Sequence, residues 1–139
     1  MCGIVGFVGT KSNGLPVVLS GLKALEYRGY DSAGVGFITD DSLSITRSTG
    51  IVDHLEKALN AKANTSLPAA KLAIGHTRWA THGEPSEQNA HPHANTSQTI
   101  AVVHNGIIEN YQEIREFLSA EGYTFASETD TEVIPQLID

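Results

Sequence analysis

Met1-Cys2-Gly3-Ile4-Val5-Gly6-Phe7-Val8-Gly9 opens the chain, with its one cysteine directly behind the methionine at the head of an apolar run. The run from Cys2 to Val8 predicts a buried strand that stops at Gly9. Removal of Met1 would leave a chain beginning with cysteine, so that a thiol and a free α-amine share one residue. That is a nucleophile with its own base, the logic of nucleophiles activated by an N-terminal amine, because an α-amine titrates near neutral pH. The competing reading of a lone cysteine in an apolar run is a small buried hydrophobe.

Outward from this strand, Leu15, Val18, Leu19, Leu22 and Leu25 recur at helical spacing and predict a helix over about residues 16–26, with Gly29 ending it. Residues 33–39 read as a second strand, and Asp40-Asp41 offers a tight turn into a third over 43–47, a hairpin. Val52, Leu55 and Leu59 suggest a short helix, followed by a polar surface connection over 61–70 and a strand over 71–76. Residues 78–98 are long, polar and without period, the pattern of a functional or disordered loop. Further strands are expected over 99–104 and 123–126, with Asn110 capping a helix that carries Ile114, Phe117 and Leu118. Thr129-x-x-Glu132 has the form of a capping box, and its helix runs into Pro135. Strands and helices mixed in this order predict an α+β layered domain with largely antiparallel sheets. The apolar pattern at Val133, Ile134, Leu137 and Ile138 has nothing after it to cover it, so the domain is expected to be incomplete at its C-terminus.

With 139 residues, 40% hydrophobic and 18% charged, the chain fits one soluble globular domain. Its net charge of −7, without a basic block, argues against a nucleic-acid partner. No apolar run approaches the roughly 18 residues of a membrane span. There is no basic leader, and one cysteine makes no internal disulfide, which together point to the cytoplasm.

Several segments carry chemistry. His76-Thr77-Arg78-Trp79-Ala80-Thr81-His82-Gly83 follows a strand and opens the long loop. An arginine there can grip a carboxylate through two parallel hydrogen bonds, and Trp79 can form an apolar wall; the plainer alternative is a surface arginine and a core tryptophan. His104-Asn105-Gly106 reads locally as a type I′ hairpin turn. It reads functionally as an oxyanion hole, with the Asn105 amide and the Gly106 N–H converging on one oxygen. Ser127 to Glu132 is an acid-rich helix start, or a place for a cationic amine. The six histidines, with His91-Pro92-His93 among them, match no standard metal-ligand spacing.

Taken in register, Cys2 to Gly6, Tyr27 to Gly34, His76 to Glu84, Asn89 to His93, His104 to Asn110 and Ser127 to Glu132 resemble the glutaminase domain of class II glutamine amidotransferases. The wording of Glu26 to Asp31, Thr77 to Gly83 and Ser127 to Glu132 is closest to the sugar-phosphate branch of that family, rather than to the purine-pathway branch. The resemblance covers residues 1–139 and implies an N-terminal-nucleophile hydrolase fold, an αββα sandwich of antiparallel sheets. It implies Cys2 as nucleophile toward L-glutamine and Asn105 and Gly106 as the oxyanion hole. Arg78, helped by Thr81 and His82, would hold the substrate carboxylate, and Asp130 the ammonium. Trp79 would lie beside the nucleophile on the ammonia path, with Arg28 supporting the site from behind. No metal or organic cofactor is implied. Partners implied are the sugar-isomerase domains of a longer chain, which carry a fructose 6-phosphate site and are absent here, in a homodimer of the full-length protein. The alternatives are a non-catalytic module that binds glutamine or a partner, or an amidotransferase with another acceptor.

Overall fold

The computed structural model of the chain describes residues 1–64, 66–80 and 83–139. Its elements are β1 (Gly3–Val8), α1 (Gly14–Leu25), a 3₁₀ turn (Glu26–Arg28), β2 (Ser32–Thr39), β3 (Ser42–Thr49), α2 (Val52–Ala63), β4 (Leu72–Arg78), β5 (His93–Ala94), β6 (Ala101–Val102), α3 (Tyr111–Ala120) and α4 (Val133–Ile138). Four strands make the main sheet in the order β1-β4-β2-β3, and β5 pairs with β6 in a second, two-stranded sheet. Every strand pairing is antiparallel, as the mixed order of elements predicts.

Strand alternation divides β2 between two layers. Ala33, Val35 and Phe37 join Leu15, Val18, Leu19 and Leu22 of α1 and Val52, Leu55 and Leu59 of α2 in one apolar core. Each buried leucine or valine there contributes roughly 1.5–3 kcal/mol. Gly34 and Gly36 face the other way, where the chain from His91 crosses so closely that a Cβ on Gly34 would lie 2.0 Å from the His91 carbonyl oxygen. Arg47 of β3 fastens that crossing by donating from Nε to the Pro92 carbonyl at 2.9 Å. This part of the polar stretch after β4 is therefore built into the molecule: Asn89, Ala90, His91 and His93 are all buried.

The β2–β3 hairpin turns at Asp40 and Asp41, whose φ angles of 49° and 59° give the doubly left-handed turn that matches strand twist. Several expectations are corrected. β1 is an edge strand with helices on one face only, so Ile4 and Val8 on its other face are exposed, Val8 at 80%. The strand expected over 99–104 shortens to Ala101–Val102, and residues 123–126 form none. There the Tyr123 N–H returns to the Leu118 carbonyl and the Ala126 N–H is taken by Glu132. Glu132 itself stands at the N-cap of α4, so Thr129 is not that cap; its carboxylate instead accepts from the backbone of Ala126 and Ser127 at 2.8 and 2.7 Å. Asn110 occupies the N-cap of α3 without a side-chain cap bond. Pro135 falls in the first turn of α4, where a missing N–H costs nothing.

Candidate active site

Strand β4 builds the first wall. Its even-numbered residues Ile74, His76 and Arg78 turn away from α1, while Gly75 packs against Val18 and Leu22. His76 and Arg78 are both buried. Arg78 donates to the carbonyls of Glu84 and Gly83, each at 3.2 Å, which seats its guanidinium against the loop that follows the strand.

Cys2 stands just before β1, and the register that sets Gly3 opposite Thr77 carries it alongside the end of β4. Its Sγ accepts the Trp79 backbone N–H at 3.1 Å and lies 3.6 Å from the Trp79 carbonyl. The thiol is half-buried rather than sealed in the apolar core. Asp31 secures this corner: its N–H donates to the Arg78 carbonyl at 2.8 Å and its carboxylate accepts from the Ala80 backbone. The Trp79 ring lies over Gly29 so closely that a Cβ there would meet it at 2.8 Å, and Trp79 is 53% exposed. Trp79 is thus a wall and not a core residue. Met1 closes the same corner, its ammonium donating to the Arg28 carbonyl at 2.6 Å while Arg28 Nη2 meets Met1 Sδ at 2.7 Å. With Met1 attached, the Cys2 nitrogen is a peptide nitrogen and cannot serve as a base.

The facing wall comes from the loop after β6 and the segment before α4. Asn105 and Gly106 form no hairpin: Asn105 lacks the left-handed backbone that a type I′ turn needs, and the next element is α3. The Asn105 Oδ1 lies 2.7 Å from His76 Nε2, and the Ile108 N–H donates to Asp130 Oδ2 at 2.7 Å. Asn89 ties the two walls together through Glu128, and Thr129 holds His93 Nε2 at 2.8 Å. Cys2, Arg78, Trp79, Asn105, Gly106 and Asp130 line one cavity of about 420 Å³. Thr81 and His82 lie outside the described residues.

A stack of histidines underlies the cavity. The His76 and His91 rings are parallel at 4.1 Å, and His93 meets His91 edge-on at 4.7 Å. Burial drives all three toward the neutral form: His76 down to about 4, His93 down to about 3 and His91 further still, with mutual repulsion adding to the effect on His91. Among the described residues, no group of three or more His, Cys, Asp and Glu is placed to hold a metal ion. Spacing along the chain does not reveal the histidine stack, although strand alternation does put His76 on the face of Arg78.

A cavity with a thiol and a guanidinium on one wall, and an amide and a carboxylate on the facing wall, is equipped for acyl transfer from a small zwitterion. Comparison with known proteins agrees with that chemistry. Residues 61–139 match the family described as "Glutamine amidotransferase domain". A glutamine–fructose-6-phosphate aminotransferase (isomerizing) of Clostridium tetani is 56% identical over 139 residues, which is 100% of this chain and 22% of that protein. The proteins of the same name from Synechocystis and Aquifex aeolicus are 54% and 56% identical over 99% of this chain and 21% and 22% of theirs. Among solved structures, the allosteric regulatory enzyme of purine biosynthesis superposes with a TM-score of 0.80 at 28% identity, covering 99% of this chain and 29% of that one. Glutamine phosphoribosylpyrophosphate amidotransferase from B. subtilis gives 0.77 at 25%, with the same coverages. The chain spans about a fifth of the length of the curated relatives it matches, 22% of the first. With the matched profile extending over more than half of its length and the superposition over nearly all of it, the chain belongs to the glutamine amidotransferase domain family.

Proposed function

We propose that the chain, once Met1 is removed, hydrolyses the side-chain amide of L-glutamine. The observation that carries the reading is the single cavity that unites Cys2, the Asn105-Gly106 pair, Arg78 and Asp130. Arg78 takes the substrate α-carboxylate, with Thr81 and His82 assisting, and Asp130 takes the α-ammonium. Either charge left unpaired in the site costs about 1–3 kcal/mol or more, which selects a free amino acid. The Cys2 sulfur attacks the amide carbon, its proton passing through the freed α-amine to the leaving nitrogen. Asn105 and Gly106 donate to the oxyanion. The carbon–nitrogen bond breaks, ammonia leaves, and water cleaves the thioester to give glutamate. Removal of Met1 both frees the amine and opens the cavity wall that Met1 now lines.

Within a longer chain, residues 1–139 serve as the N-terminal part of the glutaminase domain. The relatives' names, glutamine–fructose-6-phosphate aminotransferase (isomerizing), support a fructose 6-phosphate acceptor for the ammonia. On this reading the ammonia passes Trp79 to sugar-isomerase domains that make glucosamine 6-phosphate, in a cytoplasmic homodimer. Arg28 supports the nucleophile's corner. Among the described residues, no helix is long and apolar enough to cross a membrane.

The test is glutamate release by the intact protein with its N-terminus verified by mass. The Cys-first protein is expected to turn over glutamine, and Cys2→Ala to bind glutamine without hydrolysing it. Turnover persisting in Cys2→Ala removes the cysteine from its role.

A further inference from the structure

The oxyanion hole assigned above depends on which end of the Asn105 amide faces the cavity, since only the NH₂ end donates. Nothing in the backbone of an exposed loop fixes that choice. The Asn105 side chain meets His76 instead, with Oδ1 2.7 Å from Nε2. His76 is set rigidly: it sits on β4 between β1 and β2, is 1% exposed, and is stacked against His91 at 4.1 Å.

Burial keeps the His76 ring neutral, so it carries one proton. Its Nδ1 is buried with no hydrogen-bond partner among the described residues. A proton on Nδ1 would set the bare Nε2 lone pair against the Asn105 oxygen 2.7 Å away. A proton on Nε2 satisfies both Nε2 and Oδ1. His91 is held in turn, its Nδ1 accepting the His104 N–H at 3.3 Å, so the stack is anchored to the same loop that carries Asn105.

We propose that His76 is the positioning residue of the oxyanion hole: as the Nε2–H tautomer it holds the Asn105 carbonyl oxygen and thereby turns the amide NH₂ toward the reacting carbon. This rests on the glutaminase reading, and it adds a residue that borders the same cavity and works through the Asn105 amide. His76 acts through Asn105 and selects a donor rather than an acceptor for the developing charge. Losing an oxyanion donor outright lowers kcat by roughly 10²–10³, and losing only its orientation costs part of that.

The experiment compares His76→Phe with His76→Gln in the intact protein with a free Cys2 amine. Phe keeps the ring and its stack but cannot donate, whereas Gln places an amide NH₂ within reach of the Asn105 oxygen. His76→Phe is expected to lower kcat for glutamine hydrolysis about ten- to hundredfold, with KM within about twofold, and His76→Gln to recover most of it. Nitrogen-15 NMR of the unsubstituted protein is expected to show the Nε2–H tautomer at neutral pH, which tests the proposal even if His76→Phe does not fold. An Nδ1–H tautomer, an unchanged kcat in folded His76→Phe, or no recovery in His76→Gln overturns it. If the unsubstituted protein with a verified N-terminal cysteine releases no glutamate, the glutaminase reading itself has failed, a separate result from any of these.

Discussion

Arg78 shows how one side chain serves both the scaffold and the proposed substrate. Its two terminal nitrogens reach the Gly83 and Glu84 carbonyls, so the guanidinium plane is fixed before any ligand arrives. A preset fork loses less freedom on gripping a carboxylate than a mobile one. Lysine keeps the charge but offers one compact ammonium, which cannot both brace the loop and bind in two places. Arg78→Lys is therefore expected to raise the glutamine KM tenfold or more while lowering kcat less, corresponding to loss of a charge-assisted bond of about 1.5–3 kcal/mol. Steady-state kinetics across a wide glutamine range check this, and an unchanged KM would remove Arg78 from the carboxylate end.

At the scale of elements, helix ends are satisfied from a distance. The N-cap residue of α2 is Ile51, which has no side chain able to cap. The missing acceptor is supplied by Glu26, at the far end of α1, whose Oε1 takes the Val52 N–H at 2.6 Å. The bond ties the two core-forming helices together and places a negative charge at the positive end of α2. Glu26→Ala is expected to lower unfolding stability by about 1–2 kcal/mol, in the range of a lost N-cap. Denaturant unfolding followed by helical circular dichroism measures it, and no change would mean that solvent serves Val52 equally well. Glu132 acts similarly by bracing Ala126 and Ser127 in front of α4.

For the whole molecule, the buried histidines join the sheet to the polar loops and make its stability depend on pH. His76, His93 and His91 stay neutral in the fold down to about 4, about 3 and lower, respectively. In the unfolded chain they take up protons below about 6.5. The unfolded state thus binds more protons as pH falls through the window between about 6.5 and about 4, and stability falls with it. From about pH 7.5 to about pH 5.5 the loss is expected to be about 1 kcal/mol per ring. Urea midpoints at the two pH values test this, and equal midpoints would show that the rings protonate freely in the folded protein.

Local pattern alone settles much of this chain. A continuous apolar run marks β1, helical apolar spacing marks α1 and α2, and the Asp40-Asp41 turn marks the β2–β3 hairpin, because these are local signals that need no distant partner to declare them. Motifs in register mark Cys2, Arg78, Trp79, Asn105 and Asp130 as candidates, which the fold brings to one cavity. Tertiary contact decided the rest. Residues 123–126 and Thr129 carry strand and cap signals that lost to the Glu132 carboxylate, an acceptor whose position depends on how α4 docks. Residues 89–93 of the polar loop beyond β4 are buried because glycines at 34 and 36 let His91 and Pro92 lie flat on the sheet, a fit between segments far apart in sequence. And the pairing of His76 with Asn105 arises only when β4 and the loop after β6 meet across 29 positions, since a hydrogen bond of 2.7 Å is specified by a distance in space that no spacing along a chain encodes.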